Sequence, residues 1–136
     1  MKKFTPAELT LYTGRLWSGD ASENNLDSNQ ELELCFDSRN LKDGMIFWPI
    51  VGERFDAHDF INDLIEKGNH IFAAEKSWLI GEPHLPGDFL EVLDSTKDLG
   101  ILASNYAKSL KVKKIAITGS NGKTTTKEMI KSVLGD

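Results

Sequence analysis

An α/β fold built on a small mixed sheet is what this 136-residue sequence predicts, and three observations carry it. Stretches with the two-residue period of a strand alternate with stretches that repeat every three to four residues, as helices do. Turn residues such as Gly14, Asp43-Gly44 and Gly68 separate them. Near the end, a β-branched run enters a glycine turn and a helical stretch follows at once. The expected organisation is a mixed-sheet domain over residues 1–93. The opening helix, strand, glycine turn and helix of a second, incomplete domain follow over 94–136.

Taken in order, Thr5-Pro6-Ala7-Glu8 offers an N-cap, a first-turn proline and the returning side of a capping box. A short helix to about Thr13 follows and stops at Gly14. Residues 19–30 are polar and turn-rich and read as an exposed loop. Leu32, Leu34 and Phe36 alternate with Glu31, Glu33 and Cys35, as in a half-buried strand. Met45 to Val51 reads as a buried strand, with Pro49 pointing to an edge position or a bulge. Phe60, Ile61, Leu64 and Ile65 form a helical stripe that Asp56 or Asp59 can cap and Gly68 can end. His70–Ala74 and Phe89–Leu93 read as strands, separated by a loop over Gly81–Gly87. Ser95-Thr96-Lys97-Asp98 resembles a capping box and starts a helix with the stripe Leu99, Leu102, Ala103, Tyr106 and Leu110. Lys114–Thr118 reads as a strand and Lys123–Leu134 as a final helix.

Composition bounds the function. Apolar residues are 40% of the chain and charged residues 27%, an ordinary globular balance that excludes a disordered or collagen-like chain. Apolar runs fall far short of the ~20 residues a membrane-spanning helix needs. No apolar signal core follows Lys2-Lys3, so a cytoplasmic chain is expected. The single Cys35 fits a reducing compartment, and one cysteine with His58, His70 and His84 scattered argues against a zinc cluster. The net charge of −5 hides an asymmetry: residues 1–107 carry nine Lys/Arg against nineteen Asp/Glu, and residues 108–136 carry seven Lys against two acids. A basic tail of this kind suits nucleic acid, a membrane surface or a solvated face. The motif inside it decides.

That motif runs Ile115-Ala116-Ile117-Thr118-Gly119-Ser120-Asn121-Gly122-Lys123-Thr124-Thr125-Thr126. A strand, a turn with two glycines, a Lys-Thr pair and a helix are the parts of a phosphate-binding loop. Glycines let backbone N–H groups close around phosphate oxygens, and the helix start adds partial positive charge. Gly119, Ser120, Asn121, Gly122, Lys123, Thr124 and Thr125 are therefore the candidate nucleotide-phosphate contacts. Lys123 suits the terminal phosphates and Thr124 suits Mg²⁺. Only Ser120 and Asn121 separate the glycines, where the standard pattern has four residues.

This shortened loop resembles that of the Mur ligase family, which joins a carboxylate to an amine using ATP. The continuation Thr124 to Met129 resembles the member that adds D-alanyl-D-alanine, with Lys127-Glu128 as the discriminating pair. Asp37-Ser38-Arg39, Asp43 to Phe47 and Gly52 to Phe60 resemble, in order and spacing, the family's amino-terminal domain, which holds the UDP end of a wall precursor. Val92-x-Asp94-Ser95 resembles the lead into the central domain. Ala57 stands where the family commonly has glycine, and Trp48-Pro49 replaces a smaller pair beside the expected uridine pocket.

By residue type, Ser38 and Arg39 suit a pyrophosphate. Arg54, Asp56 and His58 lie on a loop suited to reading a uracil edge, with Phe55 beneath the ring. The same residues also suit an Asp37–Arg39 ion pair, an Asp56 helix cap and a satisfied surface histidine. The resemblance implies an ATP- and Mg²⁺-dependent peptide ligase of peptidoglycan synthesis. Its substrates would be UDP-N-acetylmuramoyl-tripeptide and D-Ala-D-Ala, and it would act as a monomer without nucleic acid or membrane insertion. Lys123 is its expected catalytic residue. This stretch alone is expected to bind precursor weakly without turnover. The alternatives are the sibling ligase that adds the third, diamino, residue and a non-catalytic UDP-sugar-binding module.

Overall fold

The computed structural model describes residues 2–19, 26–82 and 84–134. The expected loops over 19–30 and 81–87 therefore fall partly outside the described residues. The elements are β1 (Lys3–Phe4), α1 (Pro6–Thr13), β2 (Trp17–Gly19), β3 (Leu32–Cys35), β4 (Met45–Phe47), α2 (Ile61–Glu66), β5 (Ile71–Glu75), α3 (Lys76–Gly81), β6 (Asp88–Val92), α4 (Ser95–Ser109) and α5 (Lys123–Leu134).

The strands form one mixed sheet in the order β1-β3-β4-β5-β6-β2. The four inner strands run parallel, and the two edge strands pair antiparallel, β1 with β3 and β2 with β6. Alternation along the inner strands loads both faces. Leu32, Ile46, Ala73 and Leu90 face one layer with Leu9 of α1 and Leu102 of α4. Phe47, Phe72, Ala74 and Phe89 face the other, with Ile61 and Leu64 of α2. Covering on both faces explains why β5 reads as a near-continuous apolar run, Ile71 to Ala74.

α1 follows its sequence signals closely. The Thr5 hydroxyl accepts the Glu8 N–H (3.2 Å), the Glu8 carboxylate accepts the Thr5 N–H (2.9 Å), and Gly14 closes the helix at φ 70°. α5 has the predicted bounds. Four expectations need correction. First, β4 is an inner strand that stops at Phe47; Pro49, with no N–H to give, lies past its end, so it marks neither an edge nor a bulge. Second, the cap of α4 is Asp94, whose carboxylate accepts the Lys97 N–H at 2.9 Å. Ser95 is fully buried one residue inside, its hydroxyl without a partner, and Asp98 is engaged elsewhere. Third, residues 114–118 pair with no strand among the described residues, and a β-branched run has no ladder to stabilise it without a neighbour. Fourth, Phe36 and Ala103 are exposed, so the β3 alternation and the α4 stripe are each shorter than predicted.

α4 packs on α1 and is tied by charge to the segment that follows it. The Arg15 guanidinium donates Nε and Nη2 to the two Asp98 oxygens, each at 2.8 Å, and the Leu93 N–H donates to the same carboxylate at 2.8 Å. Burial pushes the Asp98 pKa up, but these hydrogen bonds outweigh it and hold the group below its ordinary value.

Candidate functional site

The crossovers from β3 to β4 and from β4 to β5 leave their connecting loops at the carboxyl ends of the parallel strands. Open α/β sheets bind ligands at this end. A cleft of about 520 Å³ opens there, lined by Phe36, Asp37, Ser38 and Arg39 after β3, Phe47 at the end of β4, and Phe55, Ala57 and Phe60 on the next loop. One wall is polar and the others are mostly aromatic.

The polar wall is a short 3₁₀ turn, Ser38–Asn40, capped by Asp37, whose carboxylate accepts the Arg39 N–H at 3.0 Å. The Arg39 side chain folds back onto the same carboxylate through Nε at 2.9 Å and Nη2 at 2.7 Å. The Arg39 hydrogen bonds hold the Asp37 carboxyl down at about 2. The pair is exposed, so Arg39 can exchange this partner for a ligand phosphate at little cost. The local ion pair that the sequence allowed is thus present, and it stands on the cleft wall.

The aromatic wall comes from residues 55–60. Phe55 is half-exposed and packs against Phe60 at 5.4 Å between ring centres. Ala57 is buried in a 3₁₀ turn without a left-handed φ, so alanine is accommodated without strain. Trp48 does not border the cleft. It packs in the layer with Leu32, Ile46 and Leu90 and donates its indole N–H to the Ser95 carbonyl at 2.9 Å, away from this cleft.

Of the five predicted precursor contacts, Ser38 and Arg39 line the cleft, and Arg54 is exposed next to Phe55. Asp56 and His58 are turned to internal work. Asp56 caps its turn and accepts both the His58 N–H (2.9 Å) and the ring Nδ1 (2.6 Å). The His58 ring is 1% exposed, and its Nε2 accepts the Glu75 N–H at 3.0 Å. Both ring nitrogens are taken, so His58 is neither a surface residue nor open to a ligand. Phe36, Phe47 and Phe60 line the cleft without having been singled out. Their adjacency to Asp37–Arg39 and Phe55 was the available signal.

The glycine loop has its own geometry. Gly119 and Gly122 sit at φ 146° and 76°, in the region that glycine reaches without strain. The Lys123 ammonium donates back to the Gly119 carbonyl and closes the loop. The Thr126 N–H and hydroxyl both donate to the Gly122 carbonyl, at 2.9 and 2.8 Å, fixing the first turn of α5. Ser120, Asn121, Lys123, Thr124 and Thr125 are exposed at this helix start. An amine, hydroxyls and a helix N-terminus beside two left-handed glycines form a donor set that fits a polyphosphate with Mg²⁺. Lys127 and Glu128 pair with each other at 2.8 Å. Lys108, Lys111, Lys113 and Lys114 are all exposed, as a solvated stretch should be.

Among the described residues no helix is long and apolar enough to cross a membrane. No protein-family model matches the chain. Curated proteins do, among them two ligases of peptidoglycan precursors. A UDP-N-acetylmuramoyl-L-alanyl-D-glutamate–2,6-diaminopimelate ligase of Clostridium tetani is 40% identical over 116 residues, covering 82% of this chain and 24% of its own length. A UDP-N-acetylmuramoyl-tripeptide–D-alanyl-D-alanine ligase of Bacillus subtilis is 41% identical over 104 residues, covering 75% of this chain and 22% of its own. Among solved structures, the D-alanyl-D-alanyl-adding ligase of Acinetobacter baumannii superposes with a TM-score of 0.77 at 31% identity. That match covers 98% of this chain and 28% of the other. The chain thus spans about a quarter of the length of these relatives.

Proposed function

The chain belongs to the Mur ligase family, and from that premise we propose that it holds the UDP end of a peptidoglycan precursor and supplies the phosphate loop of an ATP-dependent peptide ligase. The observation that carries the reading is the cleft at the carboxyl ends of β3 and β4, where Ser38 and Arg39 face Phe55 and Phe60. A hydroxyl and a guanidinium suit a diphosphate, and the aromatic pair suits a flat base. Arg54 on the adjoining loop is the further candidate for the base or ribose.

The proposed division is a precursor-holding unit over 1–93 and the start of an ATP-binding domain over 94–136, with α4 packed back onto the first. In the second part, Gly119 to Thr125 cradle the ATP phosphates. Lys123 leaves the Gly119 carbonyl to neutralise charge on the transferring group, and the Thr124 hydroxyl is the Mg²⁺ ligand. ATP supplies the phosphoryl group that activates the precursor's terminal carboxylate, and an incoming amine then displaces phosphate. These residues bind and orient the phosphoryl donor, and a longer ligase carrying this chain performs the turnover. The setting would be cytoplasmic, the acting form a monomer.

D-alanyl-D-alanine is the proposed incoming group, supported by the Bacillus subtilis relative and by the Lys127-Glu128 pair. The Clostridium tetani relative favours a second reading, in which a diamino acid is added instead. Assaying phosphate release by a longer ligase carrying this chain, with UDP-N-acetylmuramoyl-tripeptide plus D-Ala-D-Ala in one arm and UDP-N-acetylmuramoyl-L-alanyl-D-glutamate plus diaminopimelate in the other, separates the two. Release with the dipeptide alone supports the first; release with diaminopimelate alone overturns it. A longer ligase that turns over neither would refute the enzyme reading.

A further inference from the structure

We propose that His58 is a positioning residue, a fastener locked in one tautomer that holds the aromatic wall of the cleft against the end of β5. The proposal rests on the precursor-site reading for its ligand, though not for its geometry. The wall residues Phe55, Ala57 and Phe60 sit on the loop between β4 and α2. Loops of this kind set ligand geometry only when something rigid fixes them. Here the fixing group stands in the middle of the wall segment, beside Ala57.

Three contacts hold the ring. Nδ1 lies 2.6 Å from the Asp56 carboxylate, which also accepts the His58 backbone N–H. Nε2 accepts the Glu75 N–H at 3.0 Å, seventeen residues along the chain. One ring face stacks on Trp78 of α3, with centroids 5.4 Å apart and planes 30° apart. The backbone N–H can only donate, so Nε2 must carry the lone pair. The carboxylate can only accept, so Nδ1 must carry the hydrogen. The opposite tautomer turns both contacts into clashes of like groups, donor to donor and acceptor to acceptor. The ring is therefore held as the Nδ1–H form.

The clamp continues beyond the ring. The Glu75 carboxylate accepts the Ser95 N–H at 2.8 Å at the start of α4, and the Ser95 carbonyl accepts the Trp48 indole. The loop that walls the cleft is thereby tied to β5, and β5 to α4, by directional bonds in a partly buried setting. Bonds of this kind lose most when one partner is deleted and its mate is left unpaired.

The test uses the 136-residue chain. Long-range ¹H–¹⁵N correlation spectra of the free wild type should show His58 with a protonated Nδ1 and a bare Nε2; a protonated Nε2 would overturn the proposal. In His58→Phe, which keeps the stack on Trp78 and loses both ring bonds, amide exchange at residues 55–60 and at Glu75 should accelerate by about tenfold. Exchange in β3 should not change. A uniform acceleration across the sheet would mean a merely structural residue and would contradict positioning. His58→Gln, whose side-chain oxygen can again accept from Glu75, should recover part of the protection. If it recovers none while folding normally, the Nε2 contact is not what holds the wall. Calorimetry with UDP should show affinity about tenfold weaker in His58→Phe and partly restored in His58→Gln. Unchanged UDP affinity with a loosened wall would overturn the link from wall to ligand. If the wild type fails to bind UDP, the precursor-site reading fails, and the spectra and exchange data still decide the fastener.

Discussion

Removing the Asp98 carboxylate should cost the fold about 3 kcal/mol. That side chain is 2% exposed and accepts from Arg15 Nε, Arg15 Nη2 and the Leu93 N–H, all at 2.8 Å. Breaking a buried pair typically costs ~3–5 kcal/mol, because the orphaned partner stays desolvated. Arg15 is 24% exposed and can partly rehydrate, so the lower end applies. At ~2.1 cal/mol/K per residue, a chain of 136 residues has an unfolding entropy near 0.29 kcal/mol/K, so Asp98→Ala should lower the melting temperature by roughly 10 °C. The charge contribution can be isolated with Asp98→Asn, which keeps the shape. Burial raises the Asp98 pKa, and the Arg15 and Leu93 hydrogen bonds outweigh burial, so the folded value lies below the ordinary 3.8. A depressed carboxylate stabilises fully above its unfolded pKa, and that contribution is lost as pH falls through the folded value. The gap between wild type and Asp98→Asn should thus be constant from about pH 8 to pH 5 and close below about pH 4. Thermal melts by circular dichroism across this range are the assay. An Asp98→Ala midpoint within about 2 °C of wild type, or a gap that persists undiminished in acid, would refute the reasoning.

Four further outcomes follow from the same geometry. The Asp37 carboxyl should titrate near 2 by carbon NMR, and in Arg39→Ala it should return toward 3.8. Burial pushes the Asp88 pKa up, so the carboxylate weakens the fold above its folded pKa and this penalty is relieved as pH falls; Asp88→Asn should raise the neutral-pH melting temperature by ~2–4 °C. Thr5→Ala removes the cap of α1 and should cost about 1 kcal/mol in a urea melt. Lys123→Ala in a longer ligase carrying this chain should lower ATP-dependent turnover by roughly 100-fold or more while leaving UDP affinity unchanged.

What was legible in the sequence was local. The Thr5 capping box, the Gly14 stop, the bounds of α5 and the glycine loop are each specified by residues a few positions apart, so spacing alone reveals them. The elements that escaped it have their cause elsewhere in the chain. β1 and β2 are two and three residues long, too short to show a period, and exist because β3 and β6 offer them ladders. α3 is a turn and a half without a side-chain cap. At the start of α4 the expected Ser95 cap gives way to Asp94; the Ser95 carbonyl accepts the Trp48 indole and Arg15 takes Asp98, and neither partner is nearby in sequence. The site divides the same way. Ser38, Arg39 and Phe55 sit on loops whose position at the strand ends follows from the α/β alternation. The fastening of His58 depends on a backbone N–H in β5 that no motif could expose.

Titration calorimetry of this chain with UDP-N-acetylmuramoyl-tripeptide, comparing wild type, Arg39→Ala and Lys123→Ala, tests the central claim most directly. The cleft account predicts measurable one-to-one binding that weakens about tenfold in Arg39→Ala, which loses a charged phosphate partner, and is unchanged in Lys123→Ala. No binding by the folded wild type, or binding indifferent to Arg39, would contradict it.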